Sequence, residues 1–168
     1  MSISMYQAFI PPAQRALRNL SAILDKIAAH AEARKIDPAV FLSARLFPDM
    51  LPLTRQIQIA SDTVKGGAAR LAGQEPPKWE DTETTFAELQ QRVGKTLDYL
   101  ASFTPEQIDG SEDRDITLQM RSGDLHFKGQ GYLLGFVMPN LYFHITTAYA
   151  IARSNGVELG KKDFLGRE

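Results

Sequence analysis

An asparagine and a histidine stand four residues apart inside an apolar run near the C-terminus. The run, residues 135–156, reads GFVMPNLYFHITTAYAIARSNG, and Asn140 and His144 lie in its middle. Residues three or four apart share one face of a helix, so Asn140, His144 and Thr147 form a polar stripe. An imidazole can titrate near neutral pH and bind a ligand. The stripe indicates either the wall of a binding pocket or a buried hydrogen-bonded network.

The other histidines give weaker signals. His126 alternates with Leu125 and Phe127 on a predicted strand, so we expect it to face solvent. His30 lies in the last turn of the first predicted helix, where a surface position is the simpler interpretation.

Polar residues on and before the second predicted helix are the candidates to face this pair. Gln56 and Gln58 lie beside its apolar face, and Gln56 is expected to point inward. Asp62 is expected at the boundary of the core, and Asp49 lies in the preceding loop, near the mouth of the bundle. With a single histidine, these residues do not make a strong set of metal ligands.

Several classes of chemistry lack their sequence signals. The chain has no cysteine, which excludes disulfides, thiolate catalysis and zinc sites built on sulfur. No phosphate-binding loop, nucleophile elbow or dinucleotide fingerprint is present, and KGGAAR at residues 65–70 falls within a predicted helix.

Size and charge predict one ordinary domain, residues 1–168. The 19 basic residues nearly balance the 20 acidic ones, so nothing favours binding to nucleic acid or a membrane surface. The N-terminal residues lack a signal-peptide pattern, which favours a cytoplasmic location. Residues 129–152 are uncharged and long enough to span a bilayer, but their glycines, proline and polar residues favour a core helix.

Apolar spacing predicts an all-α fold with four long helices. The first covers residues 4–34 and is either kinked at Pro11 and Pro12 or begins there; the others cover 52–72, 82–102 and 130–155. The acidic run EDTETT is taken as the start of the third helix. Residues 115–128 change to an alternating pattern and predict a hairpin whose turn is Ser122–Asp124. The expected architecture is an antiparallel four-helix bundle with a small β-hairpin between the third and fourth long helices.

Pro139 precedes Asn140 directly. A proline inside a helix leaves the carbonyl four residues earlier, that of Gly135, without its usual partner. The resulting kink either widens the bundle beside Asn140 or only curves the helix around the core.

Three phrases carry a family resemblance: MSISMYQAFIPPAQRALRNLSAILDKIAAHAEARKID, FPDMLPLTRQIQIASDTVKGGAARLAG and NLYFHITTAYAIARSNGVELGKKDFLG. With the order of helices and hairpin, they resemble the DinB/YfiT-like superfamily of four-helix bundles, which has metal-binding members. More closely, they resemble a bacterial domain family of unknown function within it. The resemblance covers essentially the whole chain.

The resemblance also implies how the metal site would differ here. Metal-binding members carry two histidines four apart on the last helix, the second followed by Arg-Gly-Gln, and a third histidine on the second helix. His144 matches the second of these, Asn140 stands at the first, and Gln56 lies in the region of the third. Neutral amides are weak ligands for transition metals, so no cofactor is expected.

Three functions follow from these observations. The favoured one is a metal-independent module that binds a small molecule in a polar interior pocket formed by His144, Asn140, Thr147 and Gln56. The first alternative is a metal-dependent enzyme, of transferase or hydrolase type, in which a divalent transition metal is held by His144 with Asp49 or Asp62. The second is a structural or assembly protein with a buried polar network. Homodimer formation is expected in each case.

Overall fold

Four long helices and one hairpin make up the molecule. The structure, a computed structural model, describes residues 3–120 and 123–166. Its elements, in order, are α1 (Met5–Arg34), α2 (Pro38–Ser43), α3 (Leu53–Leu71), α4 (Phe86–Ala101), α5 (Pro105–Ile108), β1 (Asp115–Leu118), β2 (Leu125–Lys128), α6 (Gly129–Tyr132), a π-helical turn (Leu133–Val137), α7 (Met138–Ser154) and α8 (Lys161–Leu165). The predicted bundle of α1, α3, α4 and α7, with the hairpin between α4 and α7, is confirmed.

Helix α1 runs through its two prolines. Ser4 caps the helix, since its hydroxyl accepts a hydrogen bond from the Gln7 N–H at 3.3 Å. Pro11 and Pro12 remove two backbone donors, but the apolar residues around them are fully buried and hold the chain in place. Of the two interpretations of this segment, the one continuous helix is correct.

Helix α4 begins four residues later than predicted. The acidic run at residues 80–85 is an extended connection, so its assignment to the helix is wrong. Thr85 caps α4: its hydroxyl accepts from the Glu88 N–H at 3.2 Å, and the Glu88 carboxylate accepts from the Thr85 N–H at 2.9 Å. The carboxylates of Asp81 and Glu83, which precede this cap, instead form ion pairs with an arginine farther along α4.

That arginine is Arg92, which faces the bundle and is only 4% exposed. Its Nη2 lies 2.9 Å from Asp62 Oδ1 and 3.0 Å from Asp81 Oδ1, and its Nη1 donates to Glu83 Oε1 at 2.9 Å. Burial raises the pKa of Glu83, but the hydrogen bonds from Arg92 and Gln58 outweigh it, so the net pKa is below the usual value. We call Arg92, Asp62, Asp81 and Glu83 the arginine cluster; it fastens the connection before α4 to the bundle.

Helices α3 and α7 pack closely and antiparallel. A Cβ atom on Gly67 would lie 2.9 Å from Val137 Cγ1 and 3.0 Å from Phe9 Cζ, so the absence of a side chain permits this approach. Towards one end of the pair, Gln56 meets His144; towards the other, Arg70 donates to the Tyr132 hydroxyl at 3.1 Å. These contacts fix which residues of α3 face α7 and which face the π turn and α6 that precede it.

The last long helix is interrupted by a π turn directly before Pro139. The Met138 N–H donates to the Leu133 carbonyl, and Pro139 then falls in the first turn of α7. A proline at the start of a helix removes a donor that would otherwise lack a partner, so it is tolerated there. The sequence predicted a kink at this position but not a π turn. Within residues 3–120 and 123–166, no helix has the length and apolar character needed to cross a membrane.

The hairpin packs one face on the bundle. Ile116 pairs with Phe127 and Thr117 with His126, and His126 is exposed, as the alternation predicted. Ile116 and Leu118 are buried, while the Phe127 ring lies 5.6 Å from the Tyr132 ring. Ser122 of the predicted turn lies outside the described residues.

Replacing Arg92 by methionine should destabilise the protein by about 3 kcal/mol, because the three carboxylates then lose their buried partner. This is the low end for such a change, since the Asp62 and Asp81 side chains remain 39% and 33% exposed. Urea unfolding measures the effect. Arg18→Met, at an exposed position of α1, is the control and should change stability little. Equal stability of the two variants would contradict the role of the arginine cluster.

Gly67→Ala and Gly94→Ala should have opposite effects. At Gly67 the new methyl group overlaps Val137 and Phe9, and overpacking costs about 1–3 kcal/mol. At Gly94, in the middle of α4, no atom lies within 4 Å of the added Cβ, so alanine should stabilise by about 0.5–1 kcal/mol. Thermal unfolding compares them, and a Gly67→Ala protein more stable than the wild type would refute close α3–α7 packing.

Candidate functional site

His144 and Gln56 form the centre of the candidate site. His144 Nδ1 lies 2.7 Å from Gln56 Oε1, and both side chains are buried, at 8% and 2% exposed. Helix α7 supplies the histidine and the first turns of α3 supply the glutamine. The sequence placed these two residues on facing helices, and the structure brings them into direct contact.

A backbone carbonyl fixes which atoms of the pair donate. Gln56 Nε2 donates to the Leu51 carbonyl at 2.9 Å, and a carbonyl can only accept, so the amide oxygen of Gln56 must face the histidine. His144 Nδ1 therefore carries the proton and donates it to Gln56 Oε1. In the neutral ring, Nε2 is then left with a lone pair.

The imidazole is neutral near pH 7. Burial lowers the pKa of His144 below its ordinary value of 6.5, because a charged ring would lose its hydration in this position. Gln56 is uncharged and supplies no compensating negative charge. His144 is therefore a hydrogen-bond acceptor at Nε2 under physiological conditions.

Nε2 has no hydrogen-bond partner among the described residues, and it is not sealed inside the protein. The fully buried polar side-chain atoms without a hydrogen bond there are Arg92 Nε, Ser111 Oγ and Arg92 Nη2, and the last of these is ion-paired with Asp62 and Asp81. An aromatic ring flanks the histidine near the surface. The Phe143 ring, 58% exposed, lies edge-on to the His144 ring with centroids 5.2 Å apart.

Asn140 and Thr147 are satisfied by their own helix. Asn140 Nδ2 donates to the Phe136 carbonyl at 2.7 Å, and Thr147 Oγ1 donates to the Phe143 carbonyl at 2.8 Å. No hydrogen bond joins either residue to His144 within the described part of the chain. The predicted polar stripe is thus present on the helix, but only His144 and Gln56 in it are bonded to each other.

The remaining candidates lie elsewhere. Asp62 accepts from Lys65 Nζ at 2.6 Å and pairs with Arg92, so it belongs to the arginine cluster. Gln58 donates to Glu83 at 2.8 Å and supports the same cluster. Asp49 is exposed in the loop before α3. The His30 ring lies edge-on to Phe41, with centroids 5.7 Å apart.

These residues do not fit a tight transition-metal site. The described residues contain no group of three or more histidines and carboxylates placed to hold an ion. The amide oxygen of Gln56, a weak ligand in any case, already accepts the Nδ1 proton. In this pair one atom of a type that zinc prefers as a ligand remains, the imidazole nitrogen His144 Nε2.

The fold is that of a DinB-like helical bundle. The structure is similar to the crystal structure of a DinB family member protein from Shewanella denitrificans, with a TM-score of 0.89 and 44% sequence identity over 97% of this chain and 92% of that chain. Residues 5–165 match the family model DUF1993, a domain of unknown function. The chain belongs to the DUF1993 family, and the predicted resemblance to a domain family of unknown function within the DinB/YfiT-like superfamily is confirmed. No curated protein matches it.

The wild-type protein should lose stability relative to His144→Gln as the pH falls below about 6.5. The unfolded chain protonates this histidine first, because its pKa in the folded state is lowered. The loss starts near the unfolded pKa and ends once the folded pKa is passed, with a slope of at most about 1.4 kcal/mol per pH unit. Urea unfolding from pH 7.5 to 5 measures the difference between the two proteins. A constant difference would show that His144 is not held in the neutral form.

Proposed function

We propose that this protein binds a small molecule without a metal, through His144. The observation that carries the proposal is the acceptor at Nε2: Nδ1 is committed to Gln56, while Nε2 is neutral, unpaired among the described residues and not sealed from the surface. Gln56 holds the ring in the tautomer that leaves this nitrogen free. Self-association into a homodimer stays a prediction.

The chemistry of the site favours an uncharged ligand with an N–H or O–H group. A lone pair attracts a donor and repels a carboxylate, and a partly buried site without a charged partner makes an ionic ligand costly to desolvate. The exposed Phe143 ring offers apolar contact beside the histidine. Primary amides, alcohols and phenols with an apolar group satisfy both requirements.

Nitrogen NMR of the histidine rings tests this proposal on the untagged protein. The probes are primary amides, alcohols and phenols, each paired with its methylated counterpart that cannot donate. We expect members of the donor set, and not their counterparts, to shift the His144 Nε2 resonance with saturation. EDTA should not change the result. His144→Gln should abolish binding and His30→Gln, the matched control, should retain it.

Elemental analysis of the same protein and of His144→Gln separates the alternatives. About one equivalent of a transition metal that is absent from the variant would overturn the proposal in favour of a metal site. If no probe moves the resonance and no metal is present, the histidine and glutamine serve packing alone and the binding proposal is wrong.

A further inference from the structure

A second candidate region, whose walls contain two arginines, lies at the end of the α3–α7 pair opposite the histidine site. A cavity of about 660 Å³ opens between the C-terminal end of α3 and strand β1, and its walls include Arg70, Gly73, Glu75 and Arg114. Gln56 and Arg70 are separated by about 21 Å along α3, at 1.5 Å per residue, so this cavity is distinct from the histidine site.

The two arginines of this cavity have no acidic partner among the described residues. The Arg70 side chain makes one hydrogen bond, to the neutral Tyr132 hydroxyl, and the Arg114 side chain makes neither a hydrogen bond nor an ion pair within the described residues. Ion pairs do engage other cations of the chain, such as Lys26 with Asp163 and Lys128 with Asp115. A guanidinium presents several donors in one plane, and most of those on Arg70 and Arg114 are unused.

Glycines of α3 and its C-terminal turn make room for both guanidinium groups. A Cβ atom on Gly66 would lie 2.5 Å from Arg70 Nη1, and one on Gly73 would overlap Arg114 Nη1. Gly73 also has a φ of +71°, which favours glycine. The backbone here therefore leaves the two cationic groups packed against it and directed along the cavity wall.

The charge of the cavity suits one negative charge. Asp115 lies in the wall, but Lys128 Nζ is 2.7 Å from its carboxylate and neutralises it. Glu75 is exposed and offsets one of the two arginines. The wall thus has an excess of about one positive charge, which fits a monoanion better than a doubly charged phosphate.

An apolar cavity of about 220 Å³ adjoins this region. Arg70 and Gln119 belong to the walls of both cavities, and Leu118, Met120, Tyr132 and Phe136 line the second one. Asp62, also in its wall, is already paired with Lys65 and Arg92. An anionic group at Arg70 would therefore have apolar surface next to it.

We propose that these two cavities bind a small monocarboxylate with an apolar chain. The carboxylate lies between Arg70 and Arg114, whose planar forks match its two oxygens, and the chain extends towards Leu118, Met120 and Phe136. The head group and the tail are recognised by different walls, so each can be tested separately.

Calorimetric titration with octanoate tests the proposal. Octanamide lacks the charge and acetate lacks the chain, and both should bind at least tenfold more weakly. Arg114→Gln and Arg70→Gln should each weaken octanoate binding at least tenfold, and added salt should weaken wild-type binding. Arg153→Gln, an exposed arginine of α7, is the matched control and should bind like the wild type.

Folding of each variant is checked by thermal unfolding. Arg114 is exposed, so its substitution should leave the fold intact, and glutamine at position 70 keeps a donor for Tyr132. Absence of octanoate binding, equal binding by octanamide, or full binding by folded Arg114→Gln would each overturn the proposal. Equal binding of acetate and octanoate would overturn the assignment of the apolar cavity.

Discussion

The close approach of α3 and α7 is the constraint on which the rest of this structure depends. Gly67 lets the two backbones meet where any side chain would collide with Val137 and Phe9. Once that point is fixed, an antiparallel arrangement determines the pairs on either side of it. Gln56 then faces His144, and Arg70 faces Tyr132. Both candidate binding regions are consequences of this one contact.

Buried and half-buried polar groups in this bundle are satisfied in three different ways. His144 uses a neutral partner on another helix, and Asn140 and Thr147 use carbonyls of their own helix. Arg92 uses charged partners, two of which come from the connection before α4. The first way leaves an acceptor nitrogen open to a ligand, whereas the third pairs the cationic group with carboxylates inside the protein. A buried polar residue thus points to function only when a ligand can still reach an atom that its protein partners leave unbonded.

Much of the architecture was predictable because it depends on local periodicity. The four long helices, the hairpin and the burial of the α7 face follow from apolar spacing and caps such as Ser4. The start of α4 was not predictable in the same way, because Arg92 holds Asp81 and Glu83 through contacts across the fold. One signal was available: Arg92 lies three residues after buried Leu89, on the inner side of α4. The contact of His144 with Gln56 was expected on facing helices. Which of the two residues donates the hydrogen bond depends on the Leu51 carbonyl, and a backbone contact of this kind cannot be recognised in the sequence.

The π turn also determines the directions in which the side chains before and after it point. A continuous α-helix turns by about 100° per residue, so Tyr132 and His144, twelve residues apart, would point about 120° away from each other. The turn at Leu133–Val137 accommodates one extra residue, which reduces the rotation to about eleven steps and the difference to about 20°. Both side chains can therefore face α3 at once. The inserted residue rotates the chain so that two distant contacts align along α3, and it lies just before Pro139 at the start of α7.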